Sequence, residues 1–177
     1  NMLWAKNKII DLKEIAYKYA HQYRKGHSIG TRFGFETNGL YTHPDQLVNA
    51  PTGSFGSPVL GDIVYKNQNP EDDNVIDESD MVALGNSLPE IIFGATLGGN
   101  YKGFDIQCNL EGSSLFSTHY IPNKFTPYAY ENRWNPNDPA VQTAYPGLSI
   151  SREYNTQTSD FWQKKTSLLR ISSAEVG

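Results

Sequence analysis

The chain has 177 residues and a formal charge of −4, from 15 Lys and Arg against 19 Asp and Glu. Nucleic-acid binding relies on a basic surface, and this acidic balance argues against it. A lone cysteine, Cys108, excludes an internal disulfide framework and a cysteine-based zinc cluster. No apolar stretch approaches the roughly 18 residues of a membrane-spanning helix, although strands that alternate polar and apolar residues would escape this criterion.

The composition favours strands and long loops over helices. There are 11 Tyr, 8 Phe and 3 Trp beside 15 Gly and 10 Pro, and such a mixture is typical of an all-β protein with many turns. The chain opens at Asn1 without a recognisable secretion signal, which favours a processed or partial chain.

The N-terminal part contains a helix-like pattern followed by loop signals. Apolar and aromatic residues recur near helical spacing from Ile9 to Tyr23, which predicts a short helix without a clear cap. Glycines and prolines then punctuate the chain, and prolines and aromatics do so again nearer its end. These signals predict long loops over residues 20–85 and 113–160, and loops of that length are usually functional.

Residues 91–112 have the most regular pattern. Apolar residues occupy every second position from Ile91 to Tyr101 and again from Phe104 to Leu110, on either side of a two-residue turn. The period of two predicts a β-hairpin, and pairing Tyr101 with Phe104 makes one face apolar and the other polar. The predicted pairs are Tyr101–Phe104, Gly99–Ile106, Leu97–Cys108, Ala95–Leu110 and Phe93–Gly112 on the apolar face, and Asn100–Asp105, Gly98–Gln107, Thr96–Asn109 and Gly94–Glu111 on the polar face.

Two interpretations of this hairpin remain open. In a soluble sandwich the apolar face covers a core and the polar face meets water. In an outer-membrane barrel the apolar face meets lipid and the polar face meets a watery lumen. The strand length, the aromatic pair at the turn and the contrast between short turns and long loops favour the barrel.

Short motifs that match those of one known protein family occur in order along nearly the whole chain. They are Trp4-Ala5-Lys6-Asn7-Lys8, Gly26-His27-Ser28-Ile29-Gly30, Asn38-Gly39-Leu40-Tyr41, Gly61-Asp62-Ile63-Val64-Tyr65-Lys66, Val75-Ile76-Asp77 with Asp80, Leu84-Gly85-Asn86, Tyr101-Lys102-Gly103-Phe104-Asp105, Arg133-Trp134 before Asn137, Tyr145-Pro146 with Leu148, Phe161-Trp162, and Leu169-Arg170. In their order and spacing, the chain resembles the C-terminal part of SusC/RagA-like TonB-dependent outer-membrane transporters of Bacteroidetes.

The resemblance implies an all-β fold: antiparallel strands of a transmembrane β-barrel with long extracellular loops. Residues 1–177 would be an incomplete C-terminal part of a barrel of about 22 strands, embedded in the cell outer membrane. Such transporters import oligosaccharides or peptides under a SusD-like surface lipoprotein that acts as a lid. They draw energy from the TonB complex, through parts that are absent from this chain. The alternative is a soluble or surface-exposed β-rich glycan-binding module.

The acidic stretch between Asn67 and Asp80 is a candidate calcium site. Closely spaced oxygen side chains suit Ca²⁺, and the ligands expected are Asn67, Asn69, Asp73 and Asp77. Many members of the resembled family have a compact acidic motif here, but this chain has about two extra residues and Asn74 in place of a turn glycine. The alternative is therefore a solvated acidic turn.

Aromatic residues of the later loop are candidates for contact with substrate or with the lid protein. Tyr128, Tyr130 and Trp134 are the residues singled out, because flat rings with a polar atom stack on sugars and anchor protein interfaces. The alternative is that such rings pack the loop against itself. No catalytic residue is predicted, because the four histidines are scattered and no nucleophile elbow or phosphate-binding glycine motif is present.

Overall fold

A computed structural model describes residues 1–70, 73–138, 143–149 and 153–177. It is mostly antiparallel β-structure, with 41% of residues in strands and 12% in helices. The strands are β1 Met2–Trp4, β2 Thr31–Gly34, β3 Thr37–Leu40, β4 Thr52–Gly53, β5 Ile63–Tyr65, β6 Val75–Ile76, β7 Val82–Asn86, β8 Ile91–Tyr101, β9 Phe104–His119 and β10 Gln163–Val176. The helices are α1 Pro127–Glu131 and the 3₁₀ turns Ala20–Gln22, Pro44–Leu47, Glu78–Asp80, Tyr154–Thr156 and Asp160–Trp162.

The largest sheet has four antiparallel strands in the order β1, β8, β9, β10. The hairpin β8–β9 has the predicted register from Tyr101–Phe104 through Leu97–Cys108 to Phe93–Gly112. Its two-residue turn places Lys102 and Gly103 at positive φ, 51° and 88°, as a tight hairpin turn requires. The prediction of a hairpin and of its register is confirmed.

The sheet extends beyond the predicted hairpin in two ways. β9 continues past residue 112 to His119, into the stretch predicted as loop, because β10 pairs along its whole length from His119 to Ile106. The sequence pattern did not predict β10. Lys164, Lys165 and Arg170 interrupt its apolar residues, and two register shifts break the period of two that marks a strand.

The long connecting segments fold around an aromatic core of their own. Its buried members are Phe35, Ile63, Tyr65, Ile76, Ala129, Tyr145, Tyr154 and Trp162. The rings of Phe35, Phe55, Tyr65 and Tyr154 contact one another with centroids 5.0 to 5.7 Å apart. Three two-stranded sheets frame this core: β2–β7 and β3–β5 are antiparallel, and β4–β6 is parallel. The predicted loops are thus packed structure.

The helix expected between Ile9 and Tyr23 does not form, apart from the 3₁₀ turn Ala20–Gln22. Ile9 exchanges backbone bonds with the chain near Gly26 instead: its N–H donates to His27 O (2.8 Å), and Gly26 N–H donates to Ile9 O (2.9 Å). Ile10 and Ile15 are largely exposed, so an apolar stripe here has no surface to pack against. Without such a surface, a short uncapped helix is unstable.

The expectation of a β-rich fold with antiparallel strands is confirmed at that level. The four-stranded sheet is open, and the strands of the described residues do not close into a barrel. None of the helices in the described ranges has both the length and the apolar character needed to cross a membrane.

Candidate functional site

One face of the four-stranded sheet is apolar. It is exposed toward the hairpin turn and half-buried at Ile91, Phe93, Cys108 and Leu110. On β8 and β9 it consists of the residues predicted from the alternation, and Leu97 retains 59% of its accessible surface. β10 extends this face, because Val176, Ala174, Ile171 and Leu169 lie opposite Ile106, Cys108, Leu110 and Gly112. β1 extends it on the other side, where Met2 and Trp4 lie opposite Phe93 and Ile91. Contiguous apolar surface across four strands indicates a contact with lipid or with another protein.

The opposite face of the sheet is a ladder of polar side chains. Thr96 Oγ1 donates to Asn109 Oδ1 (2.7 Å), and Asn109 Nδ2 donates to Ser173 Oγ (2.8 Å), so one chain of hydrogen bonds crosses three strands. Arg170 forms a two-pronged pair with one oxygen of Glu111, at 2.7 and 3.1 Å. These partners lie directly across the strands, where such pairs stabilise a sheet most.

An open trough of about 1050 Å³ lies over this polar ladder. Its lining combines Asn109, Glu111 and Arg170 with the apolar side chains of Leu3 and Ile92. Hydrogen-bonding groups beside a small apolar patch can hold water or a polar solute. Along residues 92–96 of β8, the sheet therefore has a wettable trough on one face and apolar side chains on the other.

Aromatic residues and a cation mark the turn end of the sheet. Tyr101 and Phe104 are both exposed, and Lys102 Nζ lies 5.3 Å from the centre of the Tyr101 ring. Aromatic side chains with a polar neighbour favour the boundary between an apolar phase and water.

The predicted contact residues Tyr128 and Tyr130 lie on the short helix α1. Thr126 caps this helix, since its Oγ1 accepts from Ala129 N–H (3.3 Å), and Pro127 begins it. The two tyrosines remain 50% and 61% exposed, and the Arg133 guanidinium stacks on the Tyr130 ring at 3.8 Å. Exposed rings and a cation of this kind could bind a sugar ring or a protein side chain.

Trp134, the third predicted contact residue, is only 6% exposed. Its ring packs on Gly61, which has a φ of +85°, and a Cβ at Gly61 would collide with it. Backbone bonds from Trp134 N–H to Tyr145 O (2.9 Å) and from Gly147 N–H to Gly61 O (2.7 Å) fix the neighbouring segments. In this arrangement Trp134 supports the loop from within, and a contact with a ligand or lid stays a prediction.

The predicted calcium ligands are partly brought together. Asn67 Nδ2 donates to Asp73 O (2.9 Å), and Asn67 Oδ1 accepts from Asn69 N–H (2.7 Å), so these three residues are neighbours. Asp77 instead caps the turn Glu78–Asp80, accepting from Ser79 N–H at 2.7 Å.

The carboxylates of this loop also accept hydrogen bonds from the backbone N–H groups of the loop itself. Asp73 Oδ1 accepts from Val75 N–H (3.1 Å), and the buried Asp80 accepts from Gln68 N–H (2.7 Å) and Asp77 N–H (3.0 Å). Within the described residues, which omit 71 and 72, no group of three acidic, histidine or cysteine side chains is poised around a metal position. The residues fit a hydrogen-bonded acidic turn, and calcium binding at Asn67, Asn69, Asp73 and Asp77 stays a prediction.

The electrostatics of the aromatic core follow from burial. Loss of solvent raises the pKa of the Tyr65 hydroxyl well above its ordinary value, and the nearby Tyr154 and Asp62 raise it further. Burial and then Asp62 raise the pKa of Tyr41 in the same way. At the surface, hydrogen bonds from Gln68 and Lys66 lower the pKa of the Glu36 carboxyl. The core therefore favours neutral tyrosines.

Sequence reasoning missed the polar ladder as a connected unit. Asn109, Thr96 and Asp105 were assigned to the correct face, but Arg170 and Ser173 lie on β10, which was not predicted. The sequence does contain a signal for β10. Leu169, Ile171, Ala174 and Val176 alternate with polar residues if one extra residue, a β-bulge, is allowed after Ile171, and they can then pair with the apolar face from Ile106 to Gly112.

Comparison with models of known protein families finds no match to this chain, and comparison with curated proteins finds none either.

Proposed function

We propose that this chain forms part of the wall and extracellular loops of an outer-membrane active transporter. The observation that carries the proposal is the four-stranded sheet, one face of which is apolar and exposed while the other is polar. In this role the apolar face contacts lipid, and the polar ladder lines an aqueous lumen. The protein is then a carrier rather than an enzyme.

The strand lengths support a membrane span. β8 has 11 residues, and a strand that rises about 3.4 Å per residue is about 37 Å long at this length. At a tilt of about 40°, it covers about 28 Å along the membrane normal, enough for an apolar band about 25 Å tall. β9 and β10 have 16 and 14 residues, so their ends project beyond the band toward the loops.

The loops built on the aromatic core supply the extracellular side of the proposal. The exposed surface of α1 carries Tyr128 and Tyr130, and Trp134 is buried against Gly61 three residues beyond the end of the helix. We assign to this surface the contact with an oligosaccharide or peptide substrate and with a SusD-like lipoprotein lid. The TonB complex acts through parts of the transporter outside this chain, and the motif resemblance supplies this element of the proposal.

Tryptophan fluorescence tests the membrane assignment. Of the three tryptophans, Trp4 is exposed on the apolar face, whereas Trp134 and Trp162 are buried among the loops. In vesicles of brominated phosphatidylcholine, Trp4 emission should be quenched, and the Trp4→Phe variant should show little quenching. A chain that is folded and monodisperse in plain buffer, with Trp4 unquenched by these vesicles, would favour the soluble glycan-binding module.

Substitutions on α1 test the transport role in the intact transporter. Replacing both Tyr128 and Tyr130 by alanine should reduce uptake of the imported nutrient. Tyr120→Ala is the control, because Tyr120 is also an exposed tyrosine, at 71%, but directly follows β9 and is not part of α1. Normal uptake with the double variant, at normal surface expression, would remove this surface from the mechanism.

A further inference from the structure

A cavity of about 380 Å³ lies among three loop segments, residues 59–62, 133–136 and 147–149. Its described lining is mostly apolar and includes Val59, Leu60, Trp134, Pro136 and Leu148. Val59 and Leu148 are 48% and 37% exposed, so this wall can be reached from solvent. Apolar walls with a few polar groups are the usual form of a site for a small ligand.

Most polar side chains of this lining are already engaged. Asp62 is 3% exposed, and its two oxygens accept hydrogen bonds from Val59 N–H and Asn155 Nδ2, both at 2.9 Å. These bonds offset the negative charge of its carboxylate. Ser149 also has an interaction within the chain. By contrast, the Trp134 indole N–H is buried without an acceptor.

The Arg133 guanidinium is the second donor of the lining with unused capacity. Its Nη1 donates to Tyr130 O, and its Cζ lies 3.8 Å from the centre of the Tyr130 ring. Among the described residues, no carboxylate forms an ion pair with it. A guanidinium has more N–H groups than its bond to Tyr130 uses. Because Arg133 itself lines the cavity, its guanidinium lies within one side chain's length of it.

Backbone bonds hold Arg133 in place. It forms an isolated bridge with Tyr145. The residues on either side complete the pairing, since Tyr145 N–H donates to Asn132 O (3.0 Å) and Trp134 N–H donates to Tyr145 O (2.9 Å). With the stacking on Tyr130, these bonds fix the guanidinium before a ligand arrives. Such preorganisation lowers the entropy cost of binding.

The unused side-chain groups of the described lining, on Arg133 and Trp134, are therefore donors. A sugar hydroxyl that accepts a hydrogen bond also brings a proton, which needs an acceptor of its own when it is buried. An ionised carboxylate only accepts, and arginine binds it with two parallel hydrogen bonds. The cavity thus suits a ligand with an anionic head and an apolar body.

We propose that this cavity binds the C-terminal residue of a peptide. The terminal carboxylate pairs with Arg133, and the last side chain, which is apolar, occupies the cavity beside Val59 and Leu148. We call this cavity, with Arg133, the carboxylate site. That the peptide is also the imported substrate rests on the proposed function, which this inference narrows from oligosaccharides or peptides to peptides.

Calorimetric titration of the full chain in detergent tests the carboxylate site. The probe is acetyl-glycyl-glycyl-leucine with a free C-terminus, and the matched ligand is the same peptide as its C-terminal amide. The free acid should bind at least about tenfold more tightly, because hydrogen bonds to a charged group are stronger than those to a neutral one. Equal affinity of the two peptides, or binding of neither, would overturn the proposal.

Removing the cation should abolish the preference for the free acid. The variant is Arg133→Met, and Lys66→Met is the control, because Lys66 is an exposed cation that does not line the cavity. The free acid and the amide should bind Arg133→Met equally, whereas Lys66→Met should keep the preference. A preference that survives in Arg133→Met would contradict the pairing with Arg133.

Filling the cavity provides an arm that is independent of charge. Val59 is partly exposed, so tryptophan at this position can fold without displacing a buried side chain. Val59→Trp should weaken binding of the leucine peptide about tenfold or more, and undiminished binding would show that the peptide lies elsewhere. If Arg133→Met loses the near-ultraviolet circular dichroism of the folded core, the acid and amide peptides and Val59→Trp decide the question.

An acidic oligosaccharide is the competing ligand, because uronic acids also carry a carboxylate. Trigalacturonic acid should bind more weakly than the leucine peptide, and tighter binding would contradict the peptide assignment.

The carboxylate site and the transport proposal fail separately. Lipid contact at Trp4 without a preference for the free acid would remove the site and leave the transport proposal. A preference for the free acid without lipid contact would leave the site and remove the transport proposal.

Discussion

Arginine in place of Leu97 should destabilise the chain in a bilayer but not in water. Leu97 lies four residues from Tyr101 along β8, or about 14 Å at a rise of about 3.4 Å per residue. At a tilt of about 40°, this distance is about 10 Å along the membrane normal, near the middle of an apolar band about 25 Å tall. Arginine facing lipid at that depth costs about 2 to 4 kcal/mol. Because Leu97 is 59% exposed, the same change without lipid should stay within about 0.5 kcal/mol.

The assay is urea unfolding of the chain reconstituted in vesicles. Thr96→Arg is the matched control, because Thr96 is the adjacent residue and its side chain lies on the polar face. Leu97→Arg should lower the free energy of unfolding by about 2 to 4 kcal/mol more than Thr96→Arg does. Equal effects of the two substitutions would refute the assignment of the apolar face to lipid.

Three further predictions address the packing, the core and the acidic loop. Gly112→Ala should destabilise the sheet by about 1 to 3 kcal/mol in urea unfolding, because its Cβ would collide with the Phe93 ring and the backbone of β10, whereas Gly99→Ala, in open space, should have little effect. The raised pKa of Tyr65 means that the folded state favours the neutral hydroxyl, so the stabilisation from this group is complete below about pH 10 and is lost at higher pH, by about 1.4 kcal/mol per pH unit. Urea unfolding followed by near-ultraviolet circular dichroism should therefore give a free energy of unfolding about 2 to 3 kcal/mol lower at pH 12 than at pH 10, and equal values at the two pH values would contradict this. The calcium hypothesis predicts that millimolar calcium raises the Tm and that Asp73→Asn abolishes the increase, while an unchanged Tm would leave the loop a solvated acidic turn.

The hairpin was predictable because local sequence determines it fully. Alternation assigns each residue of β8 and β9 to a face, and the turn Lys102-Gly103 fixes the register, so no distant information was needed. β10 was not predictable by the same reasoning, because its charges and bulges disrupt the period of two. Its partner strand β9 is also distant in sequence: Ser114 and Ser167, whose side chains are hydrogen-bonded, are 53 residues apart.

Residue type alone does not predict which aromatic side chains of the later loop are exposed. Tyr128, Tyr130 and Trp134 have similar aromatic character in the sequence, but the first two are exposed and Trp134 is buried. The difference comes from Gly61, whose positive φ and missing Cβ admit the Trp134 ring from a segment some 70 residues away. The predicted helix near Ile9 failed for a related reason, because an apolar stripe needs a surface to pack against.

A spin label on the lone cysteine gives the most direct test of the claim that the apolar face of the sheet contacts lipid. Cys108 lies on the apolar face opposite Leu97, and its neighbour Gln107 lies on the polar face. A nitroxide attached at Cys108 in vesicles should collide more often with dissolved oxygen, which partitions into lipid, than with a water-soluble nickel chelate. The same label at Gln107→Cys, in a Cys108→Ser background, should show the opposite preference. Preference for the nickel chelate at Cys108 would contradict the assignment of this face to the membrane.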